Sequence, residues 1–460
     1  MPEHPVRVRM APSPTGWAHL GSARTALFNL LFARHNGGQF VLRLDDTDLE
    51  RNRPEYEQGI YDSFHWLGLA WDEGPDVGGP HGPYRQSERL DTYRDQAARL
   101  IASGAAYRCY CTPEELEAER AAARAGGRPR YKYSRRCLTH PPAGRTEFVV
   151  RFRVPEGETT FTDLVRGDLR FDNGEFGDPV IVKSNGWPTY NFASPVDDVQ
   201  MAITHVFRSE EHLPNTPVQL MVIDAMGSPR PEALAHFPVV LGKDGKKLSK
   251  RLHPETRLDL FRELGYLPEA LLNYLALLGW NPGTEQEIFS LDELIGVFDL
   301  ARVQRAGAMF DWEKLDWMDG HYIRALSDEE LARRLRPYLP DLPESTIAAA
   351  APALKERLKR LGEAGDYLGY LTQPPPPPEL KNGQREMLEA AVDRLEDVEW
   401  TAPEIESALE GVREAGGWSR GKFLTPIRES VAGRVTPPIH HTLALLSKPE
   451  ALARMRRVLT

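Results

Sequence analysis

The sequence predicts an α/β fold built on a parallel sheet, followed by a half that is entirely helical. Three observations support this prediction. Near the start, a strand, a turn, a helix and a second strand follow one another over residues 6–44. The mixed character resumes near residue 190, after a segment of different composition. Beyond about residue 258, apolar residues recur at helical spacing.

The N-terminal segment has the order of a βαβ unit. Residues 6–11 alternate between apolar and polar side chains, as a half-buried strand does. Residues 12–16 form a turn punctuated by proline and glycine, and a helix follows. Residues 40–44 form the second strand, and an acidic cluster, Asp45 to Asp48, comes directly after it. Because such units make parallel sheets, whose ligands bind at the carboxyl ends of the strands, we expect a site here.

The middle of the chain differs from its surroundings. Residues 107–188 combine cysteines, basic residues and short β-like runs, which indicates an inserted subdomain. A strand at residues 202–207 and an apolar run at 237–241 then resume the α/β pattern. In the helical half, the run Pro374 to Pro378 cannot be helical and acts as a stiff spacer.

Charge is unevenly spread along the chain. The net charge is −10, which argues against nucleic-acid binding by the surface as a whole. Residues 124–136, however, hold six basic and no acidic side chains, and residues 416–460 hold eight basic and two acidic ones. A polyanion could therefore bind locally.

The compartment follows from what the sequence lacks. No apolar stretch of about 20 residues occurs, and the first ten residues are polar, so we expect neither a membrane span nor secretion. The three cysteines are an odd, clustered set, which argues against a disulfide framework and for a reducing compartment. We predict a cytoplasmic protein.

The first chemical motif is Ala11-Pro-Ser-Pro-Thr-Gly-Trp-Ala-His-Leu-Gly-Ser22, where the first strand turns into the first helix. Gly16 and Gly21 let the backbone approach a ligand, and the N-terminus of a helix favours phosphate. His19 can donate a hydrogen bond to a phosphate oxygen. A His-x-Gly alone is expected about once by chance, so its position at this turn is what makes it informative.

The second motif, Lys246-Lys-Leu-Ser-Lys-Arg251, follows a glycine-rich turn. Its cations suit a phosphate clamp, because negative charge grows on the phosphates when ATP activates a carboxylate. As an isolated string it is more often a solvated basic loop.

Together the two motifs resemble the signatures of class I aminoacyl-tRNA synthetases, and the wider sequence resembles bacterial glutamyl-tRNA synthetases. The stretches that carry the resemblance are Ala11–Gly16, Asp46–Asp48, Gly82–Glu88, Pro188–Tyr190, Val196–Asp198 and Arg208–Leu213. The resemblance implies a Rossmann-like catalytic domain with an inserted acceptor-binding subdomain, followed by all-α stem-contact and anticodon-binding domains. The implied segments are residues 1–106 and 189–245 (the two catalytic halves), 107–188 (the insert), 246–325 (the stem-contact region with the lysine loop) and 326–460 (the anticodon-binding domain).

The resemblance also implies a reaction and its residues. Glutamate would be activated by ATP with Mg²⁺ to glutamyl-adenylate and then attached to tRNA(Glu) by a monomeric enzyme. The residues implied for catalysis are His19 and Lys250. ATP would be bound by His19, Gly21, Lys247, Ser249 and Lys250, and glutamate by Arg9, Ser13, Asp45, Tyr190 and Arg208. Asp48 and Arg357 would contact tRNA. An arginine fork suits the γ-carboxylate, and a carboxylate suits the α-ammonium. Asp45 stands where the family usually has the longer glutamate, which leaves open whether it touches the substrate directly or through water.

Cys109, Cys111 and Cys137, followed by His140, have the ligand types of a structural zinc site. Two fourth ligands compete: His140 is the better donor by chemistry, and Tyr133 matches a tyrosine in some resembling sites. The alternative is three reduced cysteines packed in a small subdomain.

Several other functions remain open at this stage. The enzyme could also charge tRNA(Gln), which is the main alternative to a strict glutamyl enzyme. A relative that glutamylates a modified tRNA base would lack the last 200 or so residues. A small-molecule nucleotidyltransferase would need no basic helical half, and a non-catalytic tRNA-binding protein would not need His19, Gly21 and Lys250.

Overall fold

The structure is a computed structural model that describes residues 5–127, 131–248, 256–381, 383–433 and 436–460. The chain forms two compact units. The first comprises Met1–Asp259 with Leu272–Phe310, and the second comprises Leu260–Leu271 with Asp311–Thr460. Within the described ranges, no helix is both long and apolar enough to cross a membrane.

The secondary structure is mixed in the first unit and helical in the second. The strands are β1 (Arg7–Met10), β2 (Gln39–Leu42), β3 (Ala106–Cys109), β4 (Val149–Phe152), β5 (Glu158–Asp163), β6 (Gly167–Asp172), β7 (Val180–Val182), β8 (His205–Ser209), β9 (Ala233–Phe237), β10 (Val240–Leu241) and β11 (Ala308–Met309). The helices are α1 (Leu20–His35), α2 (Pro54–Trp66), α3 (Leu90–Ala102), α4 (Pro113–Ala125), α5 (Arg136–Thr139), α6 (Tyr190–Gln200), α7 (Thr216–Ala225), α8 (Leu258–Glu263), α9 (Pro268–Leu277), α10 (Leu291–Val297), α11 (Trp312–Ala325), α12 (Asp328–Leu335), α13 (Glu344–Lys355), α14 (Ala364–Leu368), α15 (Gln384–Leu395), α16 (Ala402–Ala415), α17 (Arg420–Val431), α18 (Ile439–Ala444) and α19 (Lys448–Leu459).

The parallel pairing predicted from the N-terminal βαβ pattern is confirmed. β1 and β2 run parallel, with Arg7 opposite Gln39 and Met10 opposite Leu42. β8 and β9 are also parallel, and the backbone N–H of Thr204, just before β8, donates to the Arg7 carbonyl at 3.0 Å. β1 and β8, which belong to different sheets, therefore lie next to each other although they are far apart in the sequence.

The inserted segment contributes to two sheets. β3, β4 and β7 form an antiparallel sheet of their own. The hairpin of β5 and β6 instead joins β9, where Asp163 pairs with Leu234 in parallel. In the strand order β6-β5-β9-β8, β9 lies between β5 and β8.

The second unit is helical, as the apolar spacing predicted. Its core includes Leu331 and Leu335 on α12 and Leu388, Val392 and Leu395 on α15, all buried. Pro374 to Pro378 form neither helix nor strand, as predicted for a run of prolines.

Candidate active site

A cavity of about 720 Å³ opens at the carboxyl ends of the parallel strands. It contains nearly every residue that the sequence proposed for ATP and glutamate. The predicted residues that line it are Arg9, Ser13, His19, Gly21, Asp45, Asp48, Tyr190, Arg208 and Lys247. Ser249 and Lys250 lie outside the described residues. Burial at strand ends and a concave shape are typical of ligand sites in parallel sheets.

His19 occupies the N-cap position of α1. The His19 Nδ1 accepts a hydrogen bond from the Ser22 backbone N–H at 3.3 Å. In return, the Ser22 hydroxyl oxygen accepts from the His19 backbone N–H at 3.0 Å. Because Nδ1 accepts, the ring hydrogen lies on Nε2, which can donate to an anion. The cap therefore orients the ring at a helix terminus that already favours phosphate.

Gly21 lies on the first turn of α1, against the ring of His19. A Cβ added here would lie 3.1 Å from His19 Cε1 and 3.2 Å from Nδ1. Both distances are tighter than ordinary contacts, so any side chain would press on the ring. Glycine at this position keeps both the backbone and the imidazole accessible to a ligand.

Lys247 reaches the cavity because the chain turns back on itself. The Leu248 N–H donates to the Val240 carbonyl at 2.8 Å, and Gly245 takes a φ of +71° in the intervening turn. The Lys247 ammonium forms an ion pair with Glu211, which also lines the cavity. A cation is thus held at the rim by a partially exposed carboxylate that an incoming phosphate could replace.

Arg208, on β8, is a buried cation in the cavity wall. Its Nη1 donates to the Tyr190 hydroxyl at 3.1 Å and to Gln219 Oε1 at 2.7 Å, and its Nη2 donates to Thr216 Oγ1 at 2.8 Å. Among the residues that the structure describes, no carboxylate forms an ion pair with it. Burial lowers the pKa of Arg208. An unpaired buried charge is costly, so this position favours an anionic ligand.

Arg9 differs, because a carboxylate of the fold already compensates its charge. Asp198 accepts from Arg9 Nε at 3.1 Å and Nη2 at 3.2 Å, and also from Arg43 Nη1 at 2.7 Å. Burial opposes ionisation of Asp198, but Arg9 and Arg43 outweigh it and hold its pKa below the ordinary value. This buried network fixes the floor of the cavity.

Asp45 belongs to the same network but is less firmly ionised. Arg43 Nε donates to its Oδ1 at 2.7 Å, whereas Oδ2 receives only a longer bond of 3.4 Å from Arg43 Nη2. Burial raises the pKa of Asp45 to about 6, against the opposing effect of Arg43. Oδ2 can therefore accept from a further donor in the cavity.

The predicted tRNA residues lie in different places. Asp48 lines the cavity and is paired with Arg51 at 2.5 Å, and hydrogen bonds from Arg51 lower its pKa. Arg357 is an exposed residue just after α13 in the second unit.

The cysteines converge, but His140 does not join them. The sulfurs of Cys109, Cys111 and Cys137 lie within 4.8 Å of one another. Tyr133, not His140, stands beside them: its hydroxyl is 3.1 Å from the Cys111 sulfur and accepts from the Cys137 N–H at 3.1 Å. His140 is exposed, with Nδ1 3.0 Å from the Thr139 hydroxyl. Of the two fourth ligands that the sequence left open, Tyr133 therefore lies beside the sulfurs, whereas His140 follows the end of the short helix α5 and is exposed.

Four polar residues of the site had no assigned role in the sequence. Asp198 supports Arg9, and Thr216, Gln219 and His236 surround Arg208. Asp198 lies in one of the stretches that carry the family resemblance, so the sequence contained a signal that could have identified it. The other three belong to no local motif.

Comparison with known proteins agrees with this geometry. A glutamate–tRNA ligase of Symbiobacterium thermophilum is 44% identical over 98% of this chain and 99% of its own length, and one of Acidothermus cellulolyticus is 45% identical over 98% and 95%. A crystal structure of a glutamate tRNA ligase from Elizabethkingia meningosepticum in complex with its amino acid superposes with a TM-score of 0.88, at 33% identity and 99% coverage of both chains.

The sequence profiles of two families also match. Residues 330–459 match the anticodon binding domain, in the helical unit. Residues 5–317 match the catalytic domain of class I tRNA synthetases for E and Q, and this stretch includes the whole cavity described above. The resemblance drawn from the sequence is thereby confirmed: the chain belongs to the class I tRNA synthetases of the glutamyl and glutaminyl type.

Proposed function

We propose that this enzyme ligates L-glutamate to the 3′ end of tRNA(Glu) through a glutamyl-adenylate. One observation supports glutamate most directly: Arg208 is a buried guanidinium in the cavity wall with no carboxylate partner among the described residues. A γ-carboxylate would supply the missing negative charge, whereas a neutral side chain would not.

Each end of glutamate has a matching group. Arg208 receives the γ-carboxylate, and the Tyr190 hydroxyl, which accepts from Arg208, has its own hydrogen available to donate. Asp45, through Oδ2, receives the α-ammonium. Arg9 and Ser13 line the same cavity and complete the pocket. The α-carboxylate is left facing the helix terminus that carries His19.

ATP takes the opposite end of the cavity. His19 donates from Nε2 to the phosphates, Gly21 leaves room for them, and Lys247 exchanges Glu211 for a phosphate oxygen. Ser249 and Lys250 follow Lys247 closely in the sequence, lie outside the described residues, and are proposed as further phosphate contacts. Mg²⁺, which accompanies ATP in this class, neutralises part of the phosphate charge.

The chemistry needs positioning rather than a covalent nucleophile. An oxygen of the α-carboxylate attacks the α-phosphorus, and pyrophosphate leaves with the bond electrons. The terminal ribose hydroxyl of tRNA then attacks the activated carbonyl, its proton is lost, and AMP leaves. His19, Lys247 and Lys250 stabilise the negative charge on the phosphates more strongly in the transition state than in the ground state.

The cysteine cluster fits a structural zinc ion. Three thiol sulfurs, which are ligands typical of structural zinc, lie close together, with the Tyr133 hydroxyl beside them. Arg136 Nε donates to the Cys111 sulfur at 3.1 Å and opposes, in part, the rise that burial causes in the pKa of that thiol. Cys109, Cys111, Cys137 and Tyr133 would hold the ion and stiffen the insert where the acceptor end of tRNA binds.

The second unit would read the anticodon, with Arg357 as a candidate contact. An exposed arginine can stack on or hydrogen-bond to an unstacked base. We retain the predictions of a cytoplasmic monomer and of charging of tRNA(Gln) as the alternative specificity.

Aminoacylation of purified tRNA isoacceptors with labelled glutamate and glutamine tests the proposal. We expect glutamate on tRNA(Glu) and no transfer of glutamine to any tRNA. Glutamate on tRNA(Gln) as well would establish the alternative specificity. Transfer of glutamine, or no transfer of either amino acid, would contradict the proposed function.

A further inference from the structure

We propose that Asp163 and His236 form a positioning pair that holds the Arg208 guanidinium for the substrate carboxylate, so that His236 contributes to glutamate selection without touching glutamate. The inference rests on the proposed function, in which Arg208 receives the γ-carboxylate. Neither Asp163 nor His236 is among the residues that line the cavity.

The three side chains form a row across neighbouring strands. Asp163 ends β5, His236 lies on β9, and Arg208 lies on β8 directly opposite His236 in the parallel register. His236 Nδ1 is 2.6 Å from Asp163 Oδ2, and Arg208 Nε donates to His236 Nε2 at 3.1 Å. The side chains of His236 and Asp163 are fully shielded from solvent, so water does not compete for these bonds.

The position of the imidazole hydrogen follows from its neighbours. Arginine Nε always carries a hydrogen, so His236 Nε2 must accept. The Thr216 hydroxyl, 3.0 Å away, can donate to the same nitrogen. The hydrogen of His236 therefore lies on Nδ1 and points to Asp163. Among the described residues, the charged groups that act on His236 are Asp163, Arg208 and Arg9. Burial and the two arginines lower the pKa of His236 against the opposing effect of Asp163, and a ring that accepts from Arg208 Nε at Nε2 is neutral.

This arrangement determines what Arg208 can offer a ligand. Of its five N–H groups, one on Nε, two on Nη1 and one on Nη2 are used, all by uncharged acceptors. Among the described residues, no acceptor takes the second N–H group on Nη2, and no carboxylate forms an ion pair with the guanidinium. If the His236 ring were reversed or charged, Nε would face an N–H group, and the guanidinium would have to turn. Selectivity for a carboxylate over an amide therefore depends on the neutral, correctly oriented ring.

Asp163 also has a second, structural role. Its Oδ1 accepts from the backbone N–H groups of Val165 and Arg166 at 2.9 and 2.8 Å, within the turn that joins β5 to β6. Replacing Asp163 would disturb that turn as well as the imidazole. The test is therefore made at His236, where two amide variants separate the two ring nitrogens.

The experiment compares His236→Gln with His236→Asn in the full-length enzyme. The glutamine amide extends as far as Nε2 and can offer its oxygen to Arg208, whereas the asparagine amide ends near Nδ1 and leaves Arg208 Nε without an acceptor. KM for glutamate, KM for ATP and kcat are measured by aminoacylation with tRNA(Glu) present, and folding is monitored by thermal unfolding.

For His236→Asn we expect KM for glutamate to rise about tenfold or more, because a hydrogen bond to a charged group is lost, with KM for ATP and kcat changed less than about threefold. His236→Gln should recover most of the wild-type KM. Equal KM values in both variants and the wild type, equal losses in both variants, or a parallel rise in KM for ATP would each overturn the inference. A wild-type enzyme that charges no glutamate would instead overturn the proposed function, so the two failures are distinguishable.

Discussion

Arg9 and Asp198 form a two-point ion pair beneath the cavity, with Nε–Oδ1 and Nη2–Oδ2 distances of 3.1 and 3.2 Å. Within the part of the chain that the structure describes, Arg208 in the same wall makes four hydrogen bonds but no such pair. The first arginine therefore belongs to the framework of the site, and the second is left to the ligand. This difference predicts opposite consequences for stability and for substrate binding.

Asp198→Asn should destabilise the protein by about 3 kcal/mol, because it leaves two buried arginines short of a counter-charge. The free energy of unfolding is measured by urea denaturation. Asp91→Asn is the matched control, since it removes an exposed partner of Arg94 and should change the stability little. Comparable stability of the two variants would show that the buried network does not support the fold.

Arg208→Lys should reduce kcat/KM for glutamate by about 100-fold, because lysine keeps the charge but loses the planar set of donors. KM for ATP should stay near the wild-type value, since ATP does not contact this residue in our proposal. Isotope exchange between pyrophosphate and ATP, with tRNA present, measures both constants. Unchanged glutamate kinetics would remove Arg208 from the substrate site.

The pH dependence of glutamate use should report Asp45, whose pKa burial raises to about 6. The carboxylate form binds the α-ammonium, so kcat/KM should fall about tenfold per pH unit below the pKa and level off above it. Glutamate itself does not titrate between pH 5 and 8, so the profile does not come from the amino acid, and the terminal phosphate of ATP affects the wild type and the variant alike. Asp45→Asn should be weaker at every pH and lose this titration. A variant that kept the same profile would exclude Asp45 as the titrating group.

Protein purified without chelator should contain about one equivalent of zinc per chain. Tyr133→Phe should lower the zinc content, because the hydroxyl that lies beside Cys111 is removed. His140→Ala should retain the metal, since His140 faces solvent. Elemental analysis by mass spectrometry compares the three proteins. Metal-free wild-type protein would end the zinc proposal, and loss of zinc only in His140→Ala would restore His140 as the ligand.

From the residues alone, the sequence could place His19 where the first strand turns into the first helix, because that turn depends on neighbours in the chain. His19 and Ser22 are three residues apart, and their capping contact forms whenever this helix forms. Arg208 and His236 are 28 residues apart, and His236 and Asp163 are 73 apart. The first contact depends on β8 pairing with β9 and the second on β5 pairing with β9, and no local pattern indicates either. The sequence left the choice between His140 and Tyr133 open for a related reason: cysteine spacing identifies ligand types but not the direction in which a short helix turns the next side chain.

Gly21→Ala tests whether the cap of α1 presents His19 to ATP. The added methyl carbon would lie 3.1 Å from Cε1 of the ring, so the imidazole must move while the helix, which tolerates alanine well, should not weaken. We expect kcat for pyrophosphate exchange to fall about tenfold, because a small displacement of a phosphate-binding group is costly in the transition state. Gly296→Ala on α10, where no atom lies within 4 Å of the added carbon, is the control and should leave the rate unchanged. If Gly21→Ala also left it unchanged, the ring of His19 would not be a phosphate ligand.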